Sequence, residues 1–477
     1  MALTRIILWQ GNSFVLLSLL MALTASFGVI AFEFECAVPF AVFAAVIGLT
    51  GIILIFTTRN IPMREANADA LVFLLMFWAI IPALATFPLL VSDFIDTPVR
   101  AYFETVSALT TTGASSLDPG ILPQTYHVWR SLLQWFGGIV SATFAIVILA
   151  ALDSRGTDVH KSFLFTLKRG EIFERLKVIG GAVAGLYALI SFGTFVAMTI
   201  SGTPIFDSLC LALSSVATGG FMPRSDALAD YVDHIGLFAL MLSCLLGGFN
   251  VVLVWDMLRS RALAPIRAFL YDAEHRFMLS IIVILSVIGF MHLGVSHVKA
   301  IFVEAVFFAS SAGFNFHVMG LEMIPPIILI AIALIGGSAL STAGGIKLIR
   351  LVLLFRHLKT DFNRLSHPSR LVPVVFRGEI LPDSALLSIW MYFFGYTLVF
   401  AVGIMALSIS GLSFEQSVTA SAAFLSNMGP LMEYTLPLEG YEVFSSVQMS
   451  VGTMLMLIGR VEVLAVLLIL LPGFWRR

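Results

Sequence analysis

Charge is what this chain has least of. Asp, Glu, Lys and Arg make up 12% of its 477 residues, whereas roughly 25% is usual in a soluble globular domain. That excludes an ordinary water-facing surface. Cysteine is almost as scarce: Cys36, Cys210 and Cys244 lie far apart, which argues against a disulfide framework or a cysteine metal site. The nine histidines show no HExxH or comparable metal spacing. No glycine-rich phosphate loop is present, so any nucleotide would be held by a partner. An enzyme is not expected on these grounds. The formal charge of −2 carries no nucleic-acid signal, and no nucleic-acid partner is expected.

What is abundant is apolar sequence, 59% of the chain. Runs of about 20 apolar residues recur along it, each long enough for a bilayer core of roughly 30 Å. The fold class is therefore an all-α polytopic membrane protein with lipid as its surroundings. Ten spans are expected, near 11–32, 37–57, 70–92, 129–151, 177–200, 232–257, 276–294, 325–355, 385–409 and 444–471. The acidic F-E-F-E turn divides the first two, and no small-residue cleavage site marks a signal peptide. With both termini cytoplasmic, 22 of the 27 Lys and Arg residues fall in or beside cytoplasmic segments. Arg100, Arg130, Arg224 and Lys299 fall outside, and Arg460 within a span. The opposite orientation would contradict the positive-inside rule.

Four outer connections share one design: an acid, then mixed apolar and small residues, then glycine. They read F-E-T-V-S-A-L-T-T-T-G (103–113), F-D-S-L-C-L-A-L-S-S-V-A-T-G-G (206–220), V-E-A-V-F-F-A-S-S-A-G (303–313) and F-E-Q-S-V-T-A-S-A-A-F-L-S-N-M-G (414–429). Such repetition means one unit used four times. The expected division is an N-terminal helix pair (1–60) and four units at 61–155, 156–260, 261–360 and 361–477, around one pseudo-fourfold axis. Each short segment is too short to cross, so it is expected to be a re-entrant helix followed by a loop.

Non-helical backbone at membrane depth must be buried in protein or line water. Four such loops around an axis would offer stacked carbonyls that can replace a monovalent cation's hydration shell. The candidate lining is Thr111, Thr112 and Gly113; Thr218, Gly219 and Gly220; Ser311, Ala312 and Gly313; and Asn427, Met428 and Gly429. Glycine permits the positive φ such a strand needs. The irregular flanks of Gly429 suggest that it is the most tolerant of the four. Glu104, Asp207, Glu304 and Glu415 are expected at the outer helix ends, making an acidic vestibule.

The second helix of each unit carries W-F-G-G (135–138), L-G-G-F (246–249), I-G-G-S (335–338) or I-G-R-V (458–461). Arg460 thus stands where the other units place glycine. A charge at that depth faces a water-filled cavity or a partner; a pore-facing cation is the favoured reading, a pair with Glu462 the alternative. The span 325–355 is too long for one crossing at 1.5 Å per residue. Its centre, G-G-S-A-L-S-T-A-G-G (336–345), suggests a broken helix whose polar turn lies under the loops, capped by Lys347 and Arg350.

T-T-T-G-A-S (110–115), A-T-G-G-F (217–221), S-A-G-F (311–314), S-N-M-G-P (426–430), S-T-A-G-G-I-K (341–347) and G-R-V-E (459–462) resemble the Trk/Ktr superfamily of potassium transport proteins, the bacterial Trk-type branch most closely. The resemblance covers residue 60 to the end. It implies a potassium-conducting pore of four non-identical repeats in the bacterial inner membrane, a homodimer, and a cytosolic nucleotide-binding regulatory subunit. Potassium is the bound species implied, with sodium its competitor. By motif, Gly113, Gly220, Gly313 and Gly429 would be filter residues. Gly336, Gly337, Ser338, Ser341, Thr342, Gly344 and Gly345 would belong to an intramembrane gating loop, with Arg460 as the basic residue of the last helix. Two positions depart from the pattern: Leu340 replaces a small residue, and Leu431 replaces glycine after Gly429-Pro430. The competing function is a proton- or sodium-coupled symporter. Such a transporter would need a midplane site between inverted repeats, whereas these repeats share one orientation.

Overall fold

A computed structural model describes residues 3–61, 67–92, 94–152, 172–259, 263–317, 321, 324–366, 373–376, 379–381, 383–436 and 440–461. Apart from one short hairpin (Val375–Phe376 with Glu379–Ile380), the regular structure described is helical. Seven of these helices are long and apolar enough to cross a bilayer: Leu3–Ile30, Phe34–Thr58, Leu71–Leu90, Gln124–Val147, Arg175–Ile200, Ala273–Leu293 and Ala385–Ile409. Their outward residues are large and apolar, among them Leu49, Phe192 and Phe394. The chain is a multi-pass membrane protein.

The expected sixth span is not one helix. It breaks into His234–Gly248 and Val251–Arg259, bent by 113°. Asn250 is the cause. Its side-chain oxygen accepts from the N–H groups of Val252 (3.1 Å) and Leu253 (3.4 Å), the N-cap role at which Asn excels. The break expected in 325–355 is present: Pro326–Ile335 ends at Gly336 (φ 73°), and helix resumes only at Leu348. The last helix is described as Ser446–Val461, and Glu462 lies outside the described residues.

The first two helices pack through small residues. A Cβ on Gly11 would come within 3.0 Å of the Gly51 carbonyl oxygen, a close backbone approach that favours association in lipid. Their acidic turn has a definite task. The Glu33 carboxylate accepts from the N–H groups of Gln124 (2.9 Å) and Thr125 (2.8 Å), satisfying otherwise orphaned donors at a helix start.

The four segments expected to be re-entrant hold short helices, Pro98–Leu109, Ile205–Val216, Val298–Ala309 and Phe414–Leu425. Each has 12 residues, about 18 Å of helix, which cannot cross the core. Two residues beyond each end comes a left-handed, non-glycine residue: Thr111 (φ 52°), Thr218 (51°), Ser311 (60°) and Asn427 (51°). The sequence segments differ in length from acid to glycine because the acid is not the anchor of the repeat. The helix end is.

Glycines on the following helices let these short helices seat. A Cβ on Gly137, Gly247 or Gly459 would strike the carbonyl oxygen of Leu109, Val216 or Leu425 respectively, in each case the last residue of the twelve-residue helix before it. The third unit departs because its second helix is broken at that level. Gly137→Ala, Gly247→Ala and Gly459→Ala should each lower the thermal midpoint of the purified protein, at about 1–3 kcal/mol per overpacked site. Gly181→Ala, on a helix surface with nothing within 4 Å, should not. Unchanged midpoints in all three packed variants would refute this seating.

Candidate functional site

Each of the four twelve-residue helices ends in the same kind of turn. The N–H of the left-handed residue returns to the second-to-last helical carbonyl: Thr111 to Ala108 (3.0 Å), Thr218 to Ser215 (3.0 Å), Ser311 to Phe308 (2.9 Å) and Asn427 to Phe424 (3.2 Å). The next N–H reaches one residue further back in three copies: Thr112 to Ser107, Gly219 to Ser214 and Met428 to Ala423. This is the Schellman turn, which normally places glycine in the left-handed position. A β-branched threonine there is an outlier, costing on the order of 1–3 kcal/mol. Side-chain hydrogen bonds hold three of these residues, Thr111 through the Arg460 guanidinium described below. Thr218 Oγ1 lies 3.1 Å from Thr342 Oγ1, and Asn427 Nδ2 donates to Thr112 Oγ1 and Met456 O, each at 3.0 Å.

The four turns meet in a ring. A Cβ on Gly113 would hit the Gly219 carbonyl oxygen, one on Gly220 the Ala312 carbonyl oxygen, one on Gly313 the Pro430 ring, and one on Gly429 the backbone of Ala114. Each loop therefore abuts the next in chain order, and the fourth returns to the first. Gly113 (φ 76°), Gly220 (79°) and Gly313 (63°) take the left-handed backbone. Gly429 does not, and the expectation that it is the most tolerant fails on space: the Gly113 and Ala114 backbones leave no room for its Cβ.

A second ring of contacts follows the same order. Gly138 approaches Ala217 and Thr342, Gly248 approaches Ser310, and Gly344 abuts the Ser426 carbonyl oxygen. Arg460 occupies the fourth place. Its Nε donates to Thr110 O, while its terminal nitrogens donate to Thr342 O and Thr111 Oγ1. Arg460 therefore ties the first loop to the segment 336–345.

That segment is latched from several sides. The buried Glu274 carboxylate accepts from Ser338 Oγ (2.5 Å) and Ala339 N (2.6 Å), and Leu340 O accepts from Val251 N (3.0 Å). Lys347 Nζ donates to Ser341 O (3.1 Å) and Ala343 O (2.5 Å). Gly337 N donates to Gly344 O (3.3 Å), closing the loop across Gly336 and Gly345. Arg350 lies over the Tyr392 ring at 3.8 Å.

The acids do not line an open vestibule. Glu104 and Glu304 are wholly buried, and Asp207 is 2% exposed. Glu104 and Glu304 lie in mid-helix, away from the positive end, and each braces the strand leaving its own loop. Glu104 accepts from Ser116 N (2.6 Å), and Glu304 from His317 N (2.9 Å). Asp207 pairs with Arg224 at 2.6 Å. Glu415 alone is exposed. Outside the spans, the Ser225 hydroxyl and the Gly120 N–H hold the Asp118 carboxyl below its ordinary range, so the outer segments of units one and two are joined.

Sequence reasoning missed several partners. Gln134 donates to Gly219 O and accepts from Ser214 Oγ, both at 2.7 Å. Buried Arg130 lies 4.5 Å from the Phe221 ring centre and 2.9 Å from His127 Nδ1. Polar residues inside apolar helices are a usable signal for these two. Glu274 is disguised by Asp272, which caps the same helix start. Tyr434 and Tyr441, which donate to Phe314 O (3.1 Å) and Gly429 O (2.7 Å), follow no pattern in the sequence.

Residues 39–473 match the sequence model of the TrkH family, described as a cation transport protein. The chain is 28% identical over 439 residues to the Trk system potassium uptake protein TrkG of Escherichia coli K12, covering 88% of each. It is 29% identical over 458 residues to the Trk system potassium uptake protein TrkH of Vibrio parahaemolyticus, covering 92% of each. The crystal structure of the potassium transporter TrkH from Vibrio parahaemolyticus superposes with a TM-score of 0.85 at 26% identity, over the whole of both chains.

The latch at Glu274 can be tested directly. Glu274→Ala strands the Ala339 N–H, a loss of about 1–3 kcal/mol for a buried donor. Hydrogen exchange across 338–341 should then accelerate by about tenfold or more. Wild-type protection in the variant would show that the carboxylate does not hold the loop.

Proposed function

The chain belongs to the TrkH family of cation transport proteins, and from that premise we propose that it takes up potassium through a channel-like pore on the axis of its four loops. The observation that carries this reading is the closed ring: four helix-terminal turns with one backbone, each glycine against the next loop. The proposed division is the pair 1–60 and units 61–155, 156–260, 261–360 and 361–477, ten crossings in all. Residues 111–113, 218–220, 311–313 and 427–429 form the filter, where backbone carbonyls replace water around the ion. The helices end at the ring, so their negative termini favour a cation there.

Below the filter, 336–345 is the movable barrier. Its glycines can absorb φ/ψ changes, and Arg460 adds a positive charge where an ion would pass. In this reading both termini are cytoplasmic, the membrane is the bacterial inner membrane, and the protein works as a homodimer. The basic segments 153–176, 258–275 and 356–384 dock a cytosolic nucleotide-binding regulator. Recovery of no soluble protein in pull-downs, with and without nucleotide, would leave these charges with a topological role alone.

Purified protein in liposomes should pass potassium and rubidium faster than sodium and lithium, without a coupled gradient. Flux that demands a proton or sodium gradient would favour the symporter instead. Gly113→Ser, Gly220→Ser and Gly313→Ser should each erode potassium-over-sodium preference by about tenfold, equivalent to ~1.4 kcal/mol. Unchanged preference in all three would sink the filter assignment. Deleting residues 339–343 should raise basal flux and weaken dependence on the regulator, whereas Arg460→Ala should raise flux with regulation retained. A folded deletion protein with wild-type basal flux would remove the gate.

A further inference from the structure

The four corners of the ring are not chemically equal. Among the described residues, no protein group donates to the carbonyl oxygens of Gly113, Gly220 or Gly313. The carbonyl of Gly429 receives two donors, the Tyr441 hydroxyl at 2.7 Å and the Met432 N–H at 3.2 Å. One residue earlier, Met428 O accepts from Leu431 N at 3.1 Å, while Gly429 N is spent on Thr112 O at 2.6 Å. A carbonyl oxygen has two lone pairs, so both sites on Gly429 are taken.

The backbone explains how this arises. Beyond Gly113, Gly220 and Gly313 no helix follows directly, but beyond Gly429 the chain coils at once into the short helix Leu431–Thr435. Leucine favours that turn by about 1 kcal/mol over glycine, and position 431 is where this sequence has leucine in place of glycine. The turn swings the Pro430 ring against all three other glycines: a Cβ on Gly313 would lie 2.5 Å from it, one on Gly220 3.2 Å, and one on Gly113 3.5 Å. Tyr441 is fixed from behind. It is 2% exposed and its ring lies 5.4 Å from that of Phe424 and 5.3 Å from that of Phe444.

We propose that the filter is three-sided: Tyr441 and the 431–435 turn withhold the Gly429 carbonyl from the ion, and Tyr441 is a positioning residue that sets how weakly the pore discriminates potassium from sodium. This rests on the pore reading above. With three glycine carbonyls that accept from no described group and the Pro430 ring at the fourth corner, the site supplies fewer oxygens than a four-carbonyl ring. Potassium loses more by that than sodium, since the larger ion is the one a wide ring of carbonyl dipoles suits.

The test is a set of flux ratios in liposomes. Tyr441→Phe keeps the ring and removes only the hydroxyl, and Leu431→Gly weakens the turn without touching the aromatic cluster. Each should raise the potassium-to-sodium flux ratio by about fivefold, the factor of one neutral hydrogen bond, and the double variant should raise it further. Ratios within twofold of wild type, or lower, in both conducting single variants overturn the proposal while leaving the pore intact. If one variant fails to fold, the ratio in the other decides. Wild-type liposomes that pass neither ion would instead refute the pore itself.

Discussion

The turn that closes each twelve-residue helix is the constraint on which the rest depends. It must reverse the chain in the buried interior of the protein, where water cannot complete stray hydrogen bonds. The solution returns at least two N–H groups to the helix it has just left, at the cost of a left-handed threonine, serine or asparagine. Several features serve that turn. Gly137, Gly247 and Gly459 remove side chains so the helix ends can seat on the neighbouring helices. Glu104 and Glu304 pin the outgoing strands, and Gln134 fills two polar needs of the second loop. Arg460 reaches the first turn and the segment 336–345 together.

Much of this was legible in the amino-acid order. Low charge and recurring apolar runs marked the membrane class, and the repeated glycine motifs marked the four loops and the Gly-Gly stations behind them. The break at 336–345 followed from length and composition alone. The break at Asn250 carried the same kind of signal, a Gly-Gly followed by a capping residue, but the apolar run continued past it and concealed the bend. Arg460 drew attention because it replaces a glycine, although its carbonyl and hydroxyl partners lie more than a hundred residues away in sequence.

The acids misled for a definite reason. Spacing from acid to glycine varied because Asp207 lies in the first turn of its helix whereas Glu104 and Glu304 lie in the middle. An acid repeated at four outer connections suggests a wet vestibule. Here burial and backbone N–H donors make Glu104 and Glu304 structural clasps. Tyr441 was invisible for another reason. It belongs to an outer connection with no periodicity, and its importance comes only from the fold that sets its hydroxyl beside Gly429.

The ring is made by one polypeptide, and this changes what a substitution can do. In a channel built from four copies of a subunit, one altered codon alters every corner, so only changes tolerable in quadruplicate survive. Here a helical turn starts at Leu431 directly beyond the fourth loop, while Gly113, Gly220 and Gly313 share one left-handed backbone. A substitution can therefore remodel one corner of the ring and leave the other three backbones as they are, so the four corners are free to diverge one at a time.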